Sequence, residues 1–120
     1  MSEKKPPKDL EERTYEFARD VRDFVKQLPT TETNTEDVPQ LVRASGSVAA
    51  NYIEANDALG GKDFLMRLRI SRKESKESGL FLRLVDCGDR ENLEAKRNRL
   101  VQEAKELKLI LSSIIQKSGG

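Results

Sequence analysis

The sequence predicts an all-α protein, an up-down-up-down antiparallel four-helix bundle. Three observations lead there. Four segments carry apolar residues at three- and four-residue steps, the spacing of one helix face. Breaks rich in Gly, Pro, Thr, Asn and Asp separate them, with connections short enough to make successive helices antiparallel neighbours. No competing strand pattern is present. The chain has 120 residues, a length that suits one domain. Residues 1–8, "MSEKKPPK", read as a disordered charged tail, and residues 9–118 as the domain.

The first helix is expected from Asp9 to Leu28. Leu10, Thr14, Phe17, Val21, Phe24 and Leu28 lie on one face, and Pro29 stops the helix because proline disfavours helical backbone in the residue before it. "TTETNTEDVP" reads as a polar connection, since Thr and Asn favour turns and caps. The second helix is expected to start near Asp37, capped by Thr35 or Asp37 with Pro39 in its first turn, and to run to about Ala58. Its stripe is Val38, Leu41, Ser45, Val48, Tyr52 and Leu59. Its many small residues permit close approach of another helix. Gly46 costs about 1 kcal/mol against alanine in a helix interior, which points to a packing reason. Gly60-Gly61 ends the helix.

The third helix, capped by Asp63 and reaching Asp86, has two stripes on opposite sides. One contains Phe64, Leu68, Ser71, Ser75, Ser78 and Leu82. The other contains Met66, Ile70, Glu74, Glu77, Phe81 and Leu84. A helix apolar on opposite faces is buried on both, so this pattern argues for self-association in a dimer or closed ring. Gly88 ends the helix. The fourth is expected from Arg90 to Lys117 with Asp89 as cap and Leu93, Leu100, Ala104, Leu107, Leu111 and Ile114 as its stripe. Arg97 occupies one step of that stripe and reaches outward along its stem.

Composition narrows the function classes. The 22 basic and 21 acidic residues leave a net charge of +1, unlike a strongly basic nucleic-acid binder. Only a local basic patch would restore that reading. The single cysteine, Cys87, forms no internal disulfide. No apolar run approaches the roughly 18 residues that span a membrane, and "MSEKKPPKDL" lacks the apolar core of a secretion signal. A soluble cytoplasmic protein without a membrane partner is expected.

"QLVRASGSVAANYIEA" followed by "DFLMRLRISRKESKESGLFLRLV" resembles the bacterial family of 23S rRNA intervening-sequence proteins, and "FVKQLP" is similar to it as well. The motif residues are Gln40, Arg43, Ser47, Asn51, Glu54, Lys73, Glu74 and Glu77. Phe81 stands where many relatives carry tryptophan. The resemblance implies a four-helix bundle assembled as a homopentamer, with no known enzymatic activity. A related branch resembles the accessory protein of diversity-generating retroelements, a pentamer that binds reverse transcriptase and nucleic acid. That protein is generally basic, unlike this nearly neutral chain.

The chemistry of the residues themselves is sparse. The usual di-metal site of helical bundles wants Glu-x-x-His motifs, and this chain has no histidine. The same absence excludes Ser-His-Asp and Cys-His nucleophile systems. Glu54, Glu74 and Glu77 are oxygen donors suited to magnesium, calcium or manganese. The weightier reading makes Arg43, Asn51, Glu54, Lys73, Glu74 and Glu77 a polar network at a subunit interface. Arg67, Arg69, Arg72 and Lys76 are the candidate nucleic-acid contacts. The expected function is non-enzymatic and without cofactor: a homo-oligomeric assembly or adaptor module, most simply a pentamer. The alternative is an accessory protein bound to RNA, DNA or a reverse transcriptase.

Overall fold

A computed structural model describes residues 9–120, so the segment read as a disordered tail lies outside the described residues. Four helices follow one another: α1 (Leu10–Val25), α2 (Glu32–Asn56), α3 (Gly61–Leu84) and α4 (Glu91–Lys117). Each packs against its neighbours around the bundle, α1 on α2, α2 on α3, α3 on α4 and α4 on α1. The α2–α3 seam is the most extensive and the α1–α4 seam the least.

α1 begins at Asp9, whose side chain accepts from the Glu11 N–H at 3.2 Å. It ends three residues earlier than Pro29 alone implies. A tight turn closes it, with Gln27 N–H donating to the Phe24 carbonyl and Leu28 N–H to that of Val25. Thr14, Phe17, Ala18, Val21 and Phe24 are buried along its inner face.

α2 corrects the expected connection. It starts at Glu32, not near Asp37, and its cap is Thr31, whose hydroxyl accepts from the Asn34 N–H at 3.1 Å. Pro39 therefore lies inside the helix, at its eighth residue. Pro39 and Thr35, whose carbonyl loses its helical donor, are both exposed. Asn34 offsets the turn-forming composition. Its buried carboxamide donates to the carbonyl of Pro29 and exchanges two hydrogen bonds with the backbone of Asp86. The last turn is also shorter than expected: α2 stops at Asn56, and Leu59 is fully exposed instead of continuing the stripe.

The small residues of α2 do what their size permits. Ala44, Ser45, Val48, Ala49 and Ala55 are buried, and α3 comes close enough for the Ser71 hydroxyl to donate to the Val48 carbonyl at 2.8 Å. The reason for Gly46 is found on the other side. A Cβ there would lie 3.0 Å from an Arg22 guanidinium nitrogen. That guanidinium donates to the carbonyls of Ala18 and Val42.

α3 starts two residues before Asp63, after Gly60, and has no side-chain cap. Its inner face is unusually polar: Ser71, Ser75 and Ser78 are buried beside Leu68 and Leu82. The Ser75 and Ser78 hydroxyls donate to the carbonyls of Ser71 and Glu74, so burial leaves neither unpaired. α4 is preceded by Gly88 and Asp89, both in left-handed backbone. Arg90, not Asp89, occupies the cap position, without a side-chain bond.

The core forms two clusters. One holds Phe17, Val21, Phe24, Leu41, Val48, Leu82, Leu93 and Leu107 with Val85, Cys87 and Ala104. The other, toward the α2–α3 turn, holds Ala55, Leu68, Leu111 and Ile115. No helix among the described residues is long and apolar enough to cross a membrane.

Candidate functional site

The outer edge of the α2–α3 seam brings most of the candidate residues together. Arg43, Ser47, Asn51 and Glu54 stand at i, i+4, i+8 and i+11 on α2, one ridge of a helix surface. Asp63, Arg67, Glu74 and Glu77 lie on the facing edge of α3. Because the helices are antiparallel, the C-terminal half of α3 meets the N-terminal half of α2.

Arg43 stands between two carboxylates. One guanidinium nitrogen lies 3.5 Å from both oxygens of Glu74, and the other lies 3.1 Å from Glu77 Oε1. The Glu74 side chain is only 8% exposed, against 52% for Arg43 and 36% for Glu77. Glu74 is therefore a carboxylate held under a solvent-facing cation. The network reads as one buried acid neutralised from above, with a second acid at its rim.

About two helical turns further on, Asn51 donates from Nδ2 to both the carbonyl and the hydroxyl of Ser47. Its Oδ1 accepts from Arg67 at 3.2 Å. Arg67 Nε lies 4.0 Å from Asp63 and has no hydrogen-bond partner among the described residues. Arg67, read from the sequence as a nucleic-acid contact, is thus half-buried and bound within the seam.

Two of the expected network members stand apart. Lys73 is exposed and makes no ion pair among the described residues, so Arg43 is the cation of Glu74. Glu54 is exposed and eleven residues along α2 from Arg43, about 16 Å away at helical rise. It does not converge with Glu74 and Glu77 as a ligand set would. Among the described residues, no group of three or more His, Cys, Asp or Glu is placed to hold a metal ion.

The remaining basic candidates lie on the other side of α3. Arg69, Arg72, Lys73 and Lys76 surround a shallow depression of about 350 Å³ that Glu77 also lines. Arg72 is half-buried and donates to the Ser112 hydroxyl on α4 at 3.4 Å. Beside it, a groove of about 300 Å³ runs between α3 and α4. Gly79, Leu80, Val101 and Ala104 line it together with Lys76, Arg83, Lys105 and Lys108, and no acid does. The α4 contribution is not readable from a one-helix pattern, because Lys105 and Lys108 join the groove only through the α3–α4 packing.

The α1–α4 seam carries an ion-pair cluster absent from the sequence reading. Arg13 donates from Nε to Glu103 at 2.7 Å and from a terminal nitrogen to Glu106 at 2.8 Å. These acceptors push the Arg13 guanidinium further up. A hydrogen bond from Gln102, then one from Arg13, hold the Glu106 carboxyl below the ordinary 4.5. Next to this cluster a hollow of about 570 Å³ has Phe17, Phe24 and Leu100 on its walls and charges of both signs around them. Cys87 is buried in the core near Val85, and burial raises its thiol above the usual value.

A search of curated proteins finds no match. Among solved structures, the chain is similar to a protein of unknown function from the S23 ribosomal protein family of Bacteroides thetaiotaomicron VPI-5482. The two are 25% identical, the match covers 89% of this chain and 98% of that one, and the TM-score is 0.76. The family model described as 23S rRNA-intervening sequence protein matches residues 9–113, which include α1, α2, α3 and most of α4. The chain belongs to that family, the 23S rRNA-intervening sequence proteins.

Proposed function

We propose that the protein is a non-enzymatic assembly or adaptor module that works as a homo-oligomer, with five subunits as the family resemblance implies. The observation that carries this reading is the outward face of α3. Met66, Leu80 and Leu84 are exposed there, and half-buried Ile70 and Phe81 continue the patch. Apolar residues gathered on one exposed helix face, bordered by the Arg43–Glu74–Glu77 network at the α2–α3 seam, are typical of an association surface. The polar network then sets register at the border of the contact.

Native mass spectrometry tests the reading. The wild-type chain is expected at an oligomeric mass, and Met66→Lys with Leu84→Lys is expected to shift it to the monomer while circular dichroism stays helical. A wild-type monomer at tens of micromolar would overturn the proposal.

A second reading is an accessory role on nucleic acid, alone or with a reverse transcriptase. It is favoured by the uneven placement of charge: α3 and α4 carry thirteen basic and seven acidic side chains, α1 and α2 four basic and nine acidic. A gel-shift titration with structured RNA and DNA at two salt concentrations tests it. Binding that weakens steeply with salt supports this reading.

A further inference from the structure

The two halves of the bundle have opposite charge, and the charged surfaces share a spacing. On α3, Arg72, Lys76 and Arg83 stand at i, i+4 and i+11 along the border with α4. Lys105 and Lys108 close the far side of the groove, whose lining includes exposed Leu80 and no carboxylate. Lys76, Arg83, Lys105 and Lys108 have no acidic partner within 4 Å among the described residues. On α1, Glu12, Glu16 and Asp23 also stand at i, i+4 and i+11, with Asp20 beside them. Each row is about 16 Å long at helical rise.

We infer that the α3–α4 groove receives the acidic edge of α1 from a second copy of this chain, in a head-to-tail contact. The inference rests on the assembly reading above and adds the α4 side of α3 to the contact, next to the outward face that shares Leu80 with it. A two-fold contact through the groove would set cations against cations, because such an interface apposes one patch to itself. Within one chain α1 and α3 do not pack together, so neither surface covers the other. In the up-down-up-down order α1 and α3 run in the same direction. A rotation axis along the bundle preserves that direction and lays the neighbour's α1 parallel to α3. Only the parallel arrangement brings Glu12, Glu16 and Asp23 level with Arg72, Lys76 and Arg83, since the spacing is not symmetric under reversal. Head-to-tail contacts close into rings, in which every copy both gives and receives.

Charge swaps read by native mass spectrometry test this, at about 50 mM and about 500 mM salt, where screening differs severalfold. Lys76→Glu with Arg83→Glu is expected to abolish the oligomer, and so is Glu16→Lys with Asp23→Lys. The quadruple variant, with both pairs exchanged in one chain, is expected to recover it. Circular dichroism melts confirm that each variant folds. Should a reversal variant fail to fold, Lys76→Gln with Arg83→Gln carries the test, with a smaller assembled fraction and a weaker salt dependence expected. If the wild type assembles and both reversals leave its mass unchanged, the groove assignment falls while the assembly reading stands. A wild-type monomer removes both. Folded reversals that dissociate without rescue in the quadruple variant overturn the pairing. Wild-type RNA binding lost in Lys76→Glu with Arg83→Glu, with the oligomer intact, assigns the groove to nucleic acid instead.

Discussion

The carboxamide of Asn34 donates from Nδ2 to the carbonyl of Asp86 at 2.9 Å and accepts from the Asp86 N–H at 2.8 Å. The side chain at the start of α2 thereby behaves as a peptide group toward the α3–α4 connection. It also donates to the carbonyl of Pro29 at 2.9 Å, joining two connections at one end of the bundle. Asn34→Ala strands the Asp86 N–H and leaves two carbonyls without this donor. A loss of about 2–3 kcal/mol is expected in urea unfolding. Asn34→Asp has nearly the same shape but sets a carboxylate oxygen against two carbonyls. It is expected to be no better than alanine, and a stability equal to wild type would refute the role of the amide donor.

Gly88 turns the chain at the same end. Its φ is +68°, and a Cβ would meet Pro29 Cγ at 3.2 Å. Gly88→Ala is expected to cost about 1–2 kcal/mol through left-handed backbone strain and that contact. Gly61→Ala, at a helix start with open space around it, is the control and is expected to cost nothing measurable.

Arg43 covers a carboxylate that is nearly out of solvent. Arg43→Ala leaves Glu74 without its cation, and a loss of about 1–2 kcal/mol is expected, between the values for exposed and buried pairs. Glu77→Ala removes only the rim partner and is expected to cost about 0.5 kcal/mol or less. In the Arg43→Ala background, Glu74→Gln should recover part of the loss. A cycle of these variants in urea, at one protein concentration, measures the difference.

Glu106 provides a pH signature. Its carboxyl is held below 4.5 by Gln102 and then by Arg13. A depressed carboxyl adds stability above its unfolded value, and that stability disappears as pH falls through the folded value. The contribution is therefore complete above about pH 5 and fades below 4.5. Carbon-detected NMR titration is expected to place the Glu106 midpoint below 4.5, and to move it upward in Gln102→Ala. An unmoved midpoint would contradict the ordering of the two causes.

Much of the helical content was legible from single positions. The inner stripe Leu68, Ser71, Ser75, Ser78 and Leu82 is buried as its spacing predicts, and so are Phe17, Val21 and Phe24. The start of α2 was not legible, because "TTETNTEDVP" has the composition of a turn. Its helical state depends on Asn34 reaching Asp86, fifty-two residues away. Leu59 failed for the opposite reason. Its spacing continued a stripe, but the helix had already ended at Asn56. The candidate site divides likewise. Arg43, Glu74 and Glu77, a network on sequence grounds, meet, whereas Arg67, a nucleic-acid contact on sequence grounds, lies against Asn51.

The sequence alone determined that this chain is helical, where its inner faces lie and that α3 carries a second stripe. Those properties repeat every three or four residues and follow from local spacing. Tertiary structure alone decided which charges meet. An arginine has the same local pattern whether it pairs across a seam, as Arg43 and Arg67 do, or rims an open groove, as Arg83 does. A long flexible side chain reaches several neighbours, and only the packing of another helix fixes which one is within hydrogen-bond distance.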